Sequence, residues 1–152
     1  MKRDYFIALE KRSSDNPLSL PEVIEQLAFN EQGLIPVIVQ DANTLFILMF
    51  AWMNKEALQK TLATHRLTYW SRSPQKLWVK GETSGHAQRL LAMSFDCDGD
   101  AILCQVVQQG AACHTGRSSC FYLHIESDKQ RVWVRGEQDD PSIILKNMRR
   151  NR

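Results

Sequence analysis

Residues 96–121 read DCDGDAILCQVVQQGAACHTGRSSCF, and the rest of the chain is best understood from this stretch outward. Its middle part, from Ala101 to Gln108, is apolar and β-branched and predicts a buried strand. Three carboxylates around a glycine come before this strand, and a glycine-punctuated loop with two cysteines follows it. Carboxylates and thiols are both metal-ligand groups, so the stretch predicts an active site with two metals.

The acidic part of this stretch alternates in sequence. If the backbone is extended, Asp96, Asp98 and Asp100 share one face and Cys97 points out of the other. An EF-hand loop is excluded, because the glycine and glutamate that it requires at its sixth and twelfth positions are absent. A plain polar turn between two strands is the alternative. Since neighbouring carboxylates repel one another unless a cation neutralises them, the pattern favours a magnesium site.

The cysteines at 97, 113 and 120 form a three-thiol set that lacks a Cys-x-x-Cys knuckle. A closed structural zinc site needs four ligands, whereas a catalytic zinc site keeps one position open for water. Three cysteines fit the second type, and the alternative is that they are small buried residues. The fourth cysteine, Cys104, lies among aliphatic residues and is predicted to belong to the core.

The histidine beside the second of these cysteines, His114, is the candidate catalytic residue. Its ordinary pKa lies near neutrality, so it could take a proton from the attacking water. It could also be a fourth ligand, or orient a ligand without touching the metal. His86 is a weaker candidate, and His65 and His124 are predicted to be ordinary surface or core residues.

Two nearby segments carry hydroxyls, small residues, Arg72 and Lys80, which suit phosphate binding. Either Trp70 or Trp78 could stack on a purine, and the alternative is a solvated hairpin with both tryptophans in the core. The predicted substrate-binding residues are Trp70, Ser71, Arg72, Ser73, Lys80, Gly81, Glu82, Thr83, Ser84 and Gly85.

The periodicity along the whole chain predicts one strand-rich α+β domain with a few short helices. Residues 1–32 are predicted to form an N-terminal arm and helix, residues 33–136 the catalytic domain, and residues 137–152 a C-terminal tail in which Asp140-Pro141 could open a helix. Residues 1–18 are expected to be loosely held, and residues 45–51 to form a strand buried on both faces. Two helices are predicted, one at 19–30 that starts with a capping box at Ser19 and one at 54–64. Strands are predicted at 35–40, 45–51, 67–71, 76–80, 87–98, 101–108, 121–125 and 131–135.

Composition restricts the classes of partner. The 152 residues include 19 basic and 17 acidic side chains, and a net charge of +2 makes no electrostatic case for nucleic acid or a membrane surface. The longest apolar run, Leu45 to Met53, is too short to cross a bilayer, and no signal region follows the charged N-terminus. A cytoplasmic location is therefore expected, where cysteines serve as ligands or core residues rather than disulfides.

Five motifs in order resemble the phosphoribosyl-AMP cyclohydrolase family of histidine biosynthesis. The likeness begins near Gly33-Leu34-Ile35-Pro36, includes Ala51-Trp52-Met53-Asn54 and continues to about Tyr122. The five motifs are Trp70–Ser73, Lys80–Gly85, Asp96–Asp100, Ala112–Gly116 and Ser119–Phe121.

This resemblance implies hydrolytic opening of the adenine ring at the N1–C6 bond of 1-(5-phosphoribosyl)-AMP, the third step of the pathway. It implies an intertwined homodimer in which one cysteine of the set Cys97, Cys113 and Cys120 meets two from the other subunit around zinc. It also implies magnesium at the aspartates, and substrate contacts from the segments 70–73 and 80–85.

Departures from the family pattern are few. Leu45 and His65 stand where glycine is common, which affects turn geometry rather than chemistry. The pyrophosphohydrolase domain that is often fused at the C-terminus is not expected, so a single activity is predicted. Two other classes remain open at this point: a zinc-stabilised nucleic-acid-binding module, and a magnesium phosphohydrolase that uses the aspartates alone.

Overall fold

The computed structural model describes residues 2–138, which form a single strand-rich α+β domain, as predicted. The helices are α1 (Lys2–Leu9), α2 (Leu20–Gln26) and α3 (Lys55–Thr64). The strands are β1 (Ile35–Asp41), β2 (Ile47–Met53), β3 (Thr68–Ser71), β4 (Lys76–Val79), β5 (Gln88–Phe95), β6 (Ile102–Gln108), β7 (Leu123–Glu126) and β8 (Arg131–Val134). The helix predicted at Asp140-Pro141 lies outside the described residues.

Four strands form the main sheet, in the order β2-β1-β6-β5. Strand β6 lies parallel to β1 and antiparallel to β5, while β1 and β2 are antiparallel. Alternate residues of β6 face the core, and Ile102, Cys104 and Val106 are at most 1% exposed. Burial raises the pKa of the Cys104 thiol to about 12, so this cysteine is a core residue, as predicted.

The prediction that the second strand is buried on both faces is wrong. Strand β2 lies at the edge of the main sheet, and Phe50 is 48% exposed on the face away from the core. The strand also begins at Ile47 rather than Leu45, because the Asp41 carboxylate accepts the N–H groups of Asn43 and Thr44 at 2.8 and 2.9 Å. These bonds stabilise a turn, so the strand begins only after it.

The local capping signals predict the start of α3 correctly but not the end of α2. The Asn54 side chain accepts the N–H of Ala57 at 2.8 Å, so α3 starts where predicted. Ser19 makes no such bond, and α2 ends at Gln26 instead of Asn30. The reason is tertiary: Leu27 leaves the helix with extended backbone angles and is fully buried.

The expectation that residues 1–18 are loosely held is wrong for residues 2–9, whereas residues 10–18 are exposed and contain no helix or strand. Residues 2–9 form α1, whose Phe6 is only 6% exposed and packs in the core cluster. Arg3 makes an ion pair with Asp98, and the Lys2 ammonium donates to the carbonyl of Leu27 at 3.1 Å. One buried aromatic ring and these polar contacts therefore hold α1 against the acidic turn.

Two small two-stranded sheets complete the fold, one formed by β3 and β4 and the other by β7 and β8. The first packs on α3, where the hydroxyl of Thr61 accepts the backbone N–H of Thr68 at 2.9 Å. No helix among residues 2–138 is long and apolar enough to cross a membrane.

Candidate active site

A cleft of about 810 Å³ opens where the β3–β4 hairpin and the loop after β4 face the loop after β6. Seven of the ten predicted substrate-binding residues line this cleft, all except Trp70, Arg72 and Gly85. The tryptophan at the cleft is Trp78, whereas Arg72 lies over the ring of Trp52 at 5.1 Å. If a purine stacks on a tryptophan here, Trp78 is the one available in this cleft.

The cleft contains two of the three predicted zinc ligands, Cys113 and Cys120. The two thiols are close enough for Cys113 to affect the pKa of Cys120, and the hydroxyl of Thr115 donates to the Cys113 sulfur at 3.1 Å. Burial and the neighbouring Cys113 raise the pKa of the Cys120 thiol to about 12, although part of Cys120 is exposed. The two sulfur atoms are thus adjacent, as ligands of one soft metal ion must be.

Backbone hydrogen bonds hold the loop that carries these thiols, residues 109–122. The N–H of Cys120 donates to the carbonyl of Leu48 at 2.7 Å, and the Ser119 hydroxyl donates to the carbonyl of Ile47 at 2.7 Å. At its other end the N–H of Cys113 donates to the carbonyl of Arg117 at 3.1 Å. The edge of β2 therefore anchors the thiol loop.

Lys80, predicted to bind phosphate, lines the cleft and is half-buried between the two loops. Its ammonium donates to the carbonyl of Ala112 at 2.6 Å and lies 5.8 Å from the ring centre of Trp78. Burial lowers the pKa of Lys80, while the thiols of Cys120 and Cys113 act in the opposite direction. Lys80 therefore joins the loop after β4 (the substrate-side loop, residues 80–87) to the backbone directly before Cys113.

Two histidines line the cleft, His114 as predicted and His86, which the sequence ranked as a weak candidate. His114 is exposed and belongs to the thiol loop. The His86 ring is tied to the carbonyl of Ala111 at 3.0 Å. The sequence signal for His86 was weak because its partner lies 25 positions away, and only the fold brings them together.

The acidic segment is not extended, so the predicted sharing of one face by its carboxylates is wrong. Strand β5 ends at Phe95, and the Asp96 carboxylate accepts the N–H groups of Asp100 and Ala101 at 2.9 and 3.2 Å. A hydrogen bond to Asp96 raises the pKa of Asp100, and burial adds to the rise. The Asp98 carboxylate does not join this turn and makes an ion pair with Arg3 instead. These bonds form the polar turn that was the alternative interpretation.

The third predicted zinc ligand, Cys97, is exposed on this acidic turn and does not line the cleft. Within the part of the chain that the structure describes, no three His, Cys, Asp or Glu side chains are grouped so that they could hold a metal ion. The thiol pair therefore suits zinc only as part of a larger ligand set, whose remaining members are not grouped with it among the described residues.

Comparison with known proteins identifies the family. The phosphoribosyl-AMP cyclohydrolase family model matches residues 49–122. A phosphoribosyl-AMP cyclohydrolase of Bordetella parapertussis is 53% identical over 130 residues, which are 83% of this chain and 97% of that protein. The protein of this name from Alkalilimnicola ehrlichii is 47% identical over 139 residues, covering 91% of this chain and 97% of its own.

The chain belongs to the phosphoribosyl-AMP cyclohydrolase family. A shorter alignment shows the same relation: the phosphoribosyl-AMP cyclohydrolase of Hyphomonas neptunium is 62% identical over 98 residues, 64% of this chain and 75% of that protein. The matched segment runs from β2 to the end of the thiol loop and contains the whole cleft lining. The resemblance to the phosphoribosyl-AMP cyclohydrolases is confirmed.

Proposed function

We propose that this chain catalyses hydrolytic opening of the adenine ring, at the N1–C6 bond of 1-(5-phosphoribosyl)-AMP, in histidine biosynthesis. The observation that supports this activity most is the cleft, in which the thiol pair, His114 and the loop at 80–84 face one space in a member of this family.

We also propose that the protein acts in the cytoplasm, since its cysteines at 97, 104, 113 and 120 are free thiols.

We propose zinc as the catalytic metal, held by Cys113 and Cys120 of one chain and Cys97 of a second. The adjacent sulfur atoms in the cleft support the first two ligands, and the exposure of Cys97 leaves it accessible to another copy. When bound, zinc supplies a Lewis acid that lowers the pKa of water to about 7.

The chain's own residues account for the remaining steps. His114 lies in the cleft next to a ligand and is proposed to accept the proton of the water that attacks C6. The hydroxyls of Ser71, Thr83 and Ser84, which line the same cleft, suit the substrate's phosphate and ribose oxygens. Trp70, Arg72 and Gly85 lie outside the cleft lining, so no contact with substrate is proposed for them.

We propose magnesium at Asp96, Asp98 and Asp100. The neighbouring Asp96 raises the pKa of Asp100, which supports this, because a cation beside the two carboxyl groups would offset their mutual repulsion. Asp98 would join only if it left Arg3, so the three carboxylates do not form one oxygen cage as they stand. No catalytic step is assigned to them.

We propose that the active form is a homodimer. In the β7–β8 hairpin, Leu123 pairs with Val134 and Ile125 with Val132, so these four side chains share one face. They are between 58% and 77% exposed. An isolated two-stranded hairpin is marginally stable in water, so this apolar face needs a cover. Within residues 2–138, no third ligand is grouped with the thiol pair and the apolar face of the hairpin has no cover, and both observations support a second copy as the partner.

Replacing Ile125 by glutamate tests the dimer. We expect the variant to be monomeric in light scattering and to bind less than half the zinc of the wild type, because a charge on this face opposes its burial. The matched control is His124→Glu, one residue along on the polar face of the hairpin, which should remain dimeric. An Ile125→Glu dimer with full zinc content would contradict the proposal.

Replacing His114 by alanine separates its possible roles. We expect kcat to fall about 10²- to 10⁴-fold, the usual contribution of a general base, while zinc content stays at the wild-type value. Loss of zinc would instead make His114 a ligand. Metal analysis and steady-state kinetics on the same preparation distinguish the two results.

The proposed activity is tested with the purified protein and 1-(5-phosphoribosyl)-AMP. Ring opening changes the ultraviolet absorption of the purine, and metal content is measured on the same sample. Release of inorganic phosphate without the absorbance change would favour a phosphohydrolase and overturn the proposal. A tight and salt-sensitive complex with RNA, without turnover, would favour the nucleic-acid-binding module.

A further inference from the structure

His86 is held by contacts from three parts of the fold. Its backbone N–H donates to the hydroxyl of Ser84 at 3.2 Å, and its carbonyl accepts from the side chain of Gln108 at 3.2 Å. Its ring packs against Gly110, where an added Cβ would lie 2.7 Å from the ring. The imidazole is therefore fixed in orientation before any substrate arrives.

The contact with Ala111 determines where the proton of the ring sits. The Nδ1 atom lies 3.0 Å from the carbonyl oxygen of Ala111. A carbonyl oxygen can only accept, so Nδ1 must carry the proton and donate it. The ring can then gain or lose a proton at Nε2 alone. This atom makes no hydrogen bond within residues 2–138 and is not among their buried atoms that lack a partner.

The position of His86 suits a proton donor to the substrate. It lines the cleft together with the substrate-side loop, whereas His114 belongs to the thiol loop opposite. Attack of water at C6 needs a base, and departure of N1 needs an acid. If His114 is the base, the acid that protonates N1 still has to be identified. The ionisable groups that share the cleft are Lys76, Lys80, Glu82, Cys113, His114 and Cys120.

We propose that His86 is a second catalytic residue, the general acid that protonates the leaving ring nitrogen N1. The inference rests on the proposed ring-opening activity. The water oxygen bonds to C6 and its proton passes to His114. The C6–N1 bond then breaks, and N1 keeps the electron pair and takes the proton from Nε2 of His86. As C6 becomes the carbon of a carboxamide, the second proton of the attacking water leaves its oxygen for solvent, which removes the positive charge of the N1-ribosylated ring. Solvent afterwards returns the proton to His86 and removes the one on His114.

The deciding variant is His86→Asn. The asparagine amide can still donate to the Ala111 carbonyl from the position of Nδ1, but it has no group at Nε2 that can carry a proton. We expect kcat to fall about 10²- to 10⁴-fold, with KM, zinc content and the thermal unfolding midpoint unchanged. If His86 only holds the Ala111 backbone, His86→Asn will keep wild-type kcat, and the proposal fails. The control is His124→Asn, which should turn over like the wild type.

Chemical rescue distinguishes an acid from a base. Imidazole added to His86→Gly should restore turnover in proportion to its protonated form, so rescue should weaken as the pH rises through the imidazole pKa. Rescue that follows the neutral form would assign a base and overturn the acid role. If the wild type itself does not open the ring, both the proposed activity and the proposed role of His86 are refuted.

Discussion

Cys113→Ala is expected to lose zinc and ring opening together. Cys113 is 4% exposed and shares the cleft with Cys120, and no third described cysteine lines the cleft that could take its place. Removing even an outer partner of a metal ligand typically costs about 10- to 100-fold in affinity or activity. Removing the ligand itself should leave turnover below about 1% of wild type.

The control for this variant is Cys104→Ala. Cys104 is fully buried in β6, outside the cleft lining, so its loss should lower stability by about 0.5–3 kcal/mol while zinc stays bound. Metal analysis and the absorbance assay on both variants test whether Cys113 is a zinc ligand. A Cys113→Ala protein with full zinc content and normal turnover would refute the ligand assignment.

Mixing two inactive variants then tests whether the site is shared. A dimer of one Cys97→Ala chain and one Cys113→Ala chain keeps one complete set of three cysteines. Random exchange of subunits should therefore restore about a quarter of the wild-type sites. If all three ligands came from a single chain, mixing would restore nothing.

Gly81→Ala is expected to damage both stability and turnover. Gly81 has φ +79°, and an added Cβ would lie 2.3 Å from the backbone nitrogen of Ala87 and 2.4 Å from the carbonyl carbon of His86. Backbone atoms cannot move aside as a flexible side chain can. The substitution should displace His86 and cost about 1–3 kcal/mol from overpacking, in addition to about 1–2 kcal/mol from the left-handed backbone.

Gly85→Ala supplies the matched control in the same loop. Gly85 has the same φ of +79°, but an added Cβ would meet no atom within 4 Å. Only the backbone strain of about 1–2 kcal/mol should remain. Urea denaturation and steady-state kinetics on both variants should show the larger loss for Gly81→Ala. Equal losses would mean that close packing at Gly81 is unimportant.

The predictions that succeeded from sequence concern features set by neighbouring residues. The Asn54 cap depends on a bond to a residue three positions away, and the turn before β4 on a short polar segment. Strand β6 follows from its run of aliphatic residues, with Cys104 among them. Such signals are contained in a few consecutive residues and need no knowledge of the rest of the fold.

The failures concern features set by distant partners. Asp98 was expected to face the same way as Asp96, but an arginine 95 positions away pairs with it. The helix expected to reach Asn30 ends early because Leu27 is buried. Residues 2–9 belong to the arm that is expected to be loosely held, yet Phe6 inserts into the core. Tertiary packing outweighed the local preference in each case.

The sequence by itself determined the α+β class, the family and the residue types available for chemistry, because motifs and periodicity are properties of short segments. Only the tertiary structure decided which of those residues meet. It placed Cys113 beside Cys120, bonded Lys80 to the thiol loop, brought His86 into the cleft and left Cys97 outside it. The physical reason is that these contacts depend on how segments far apart in the chain pack together, which no local pattern encodes.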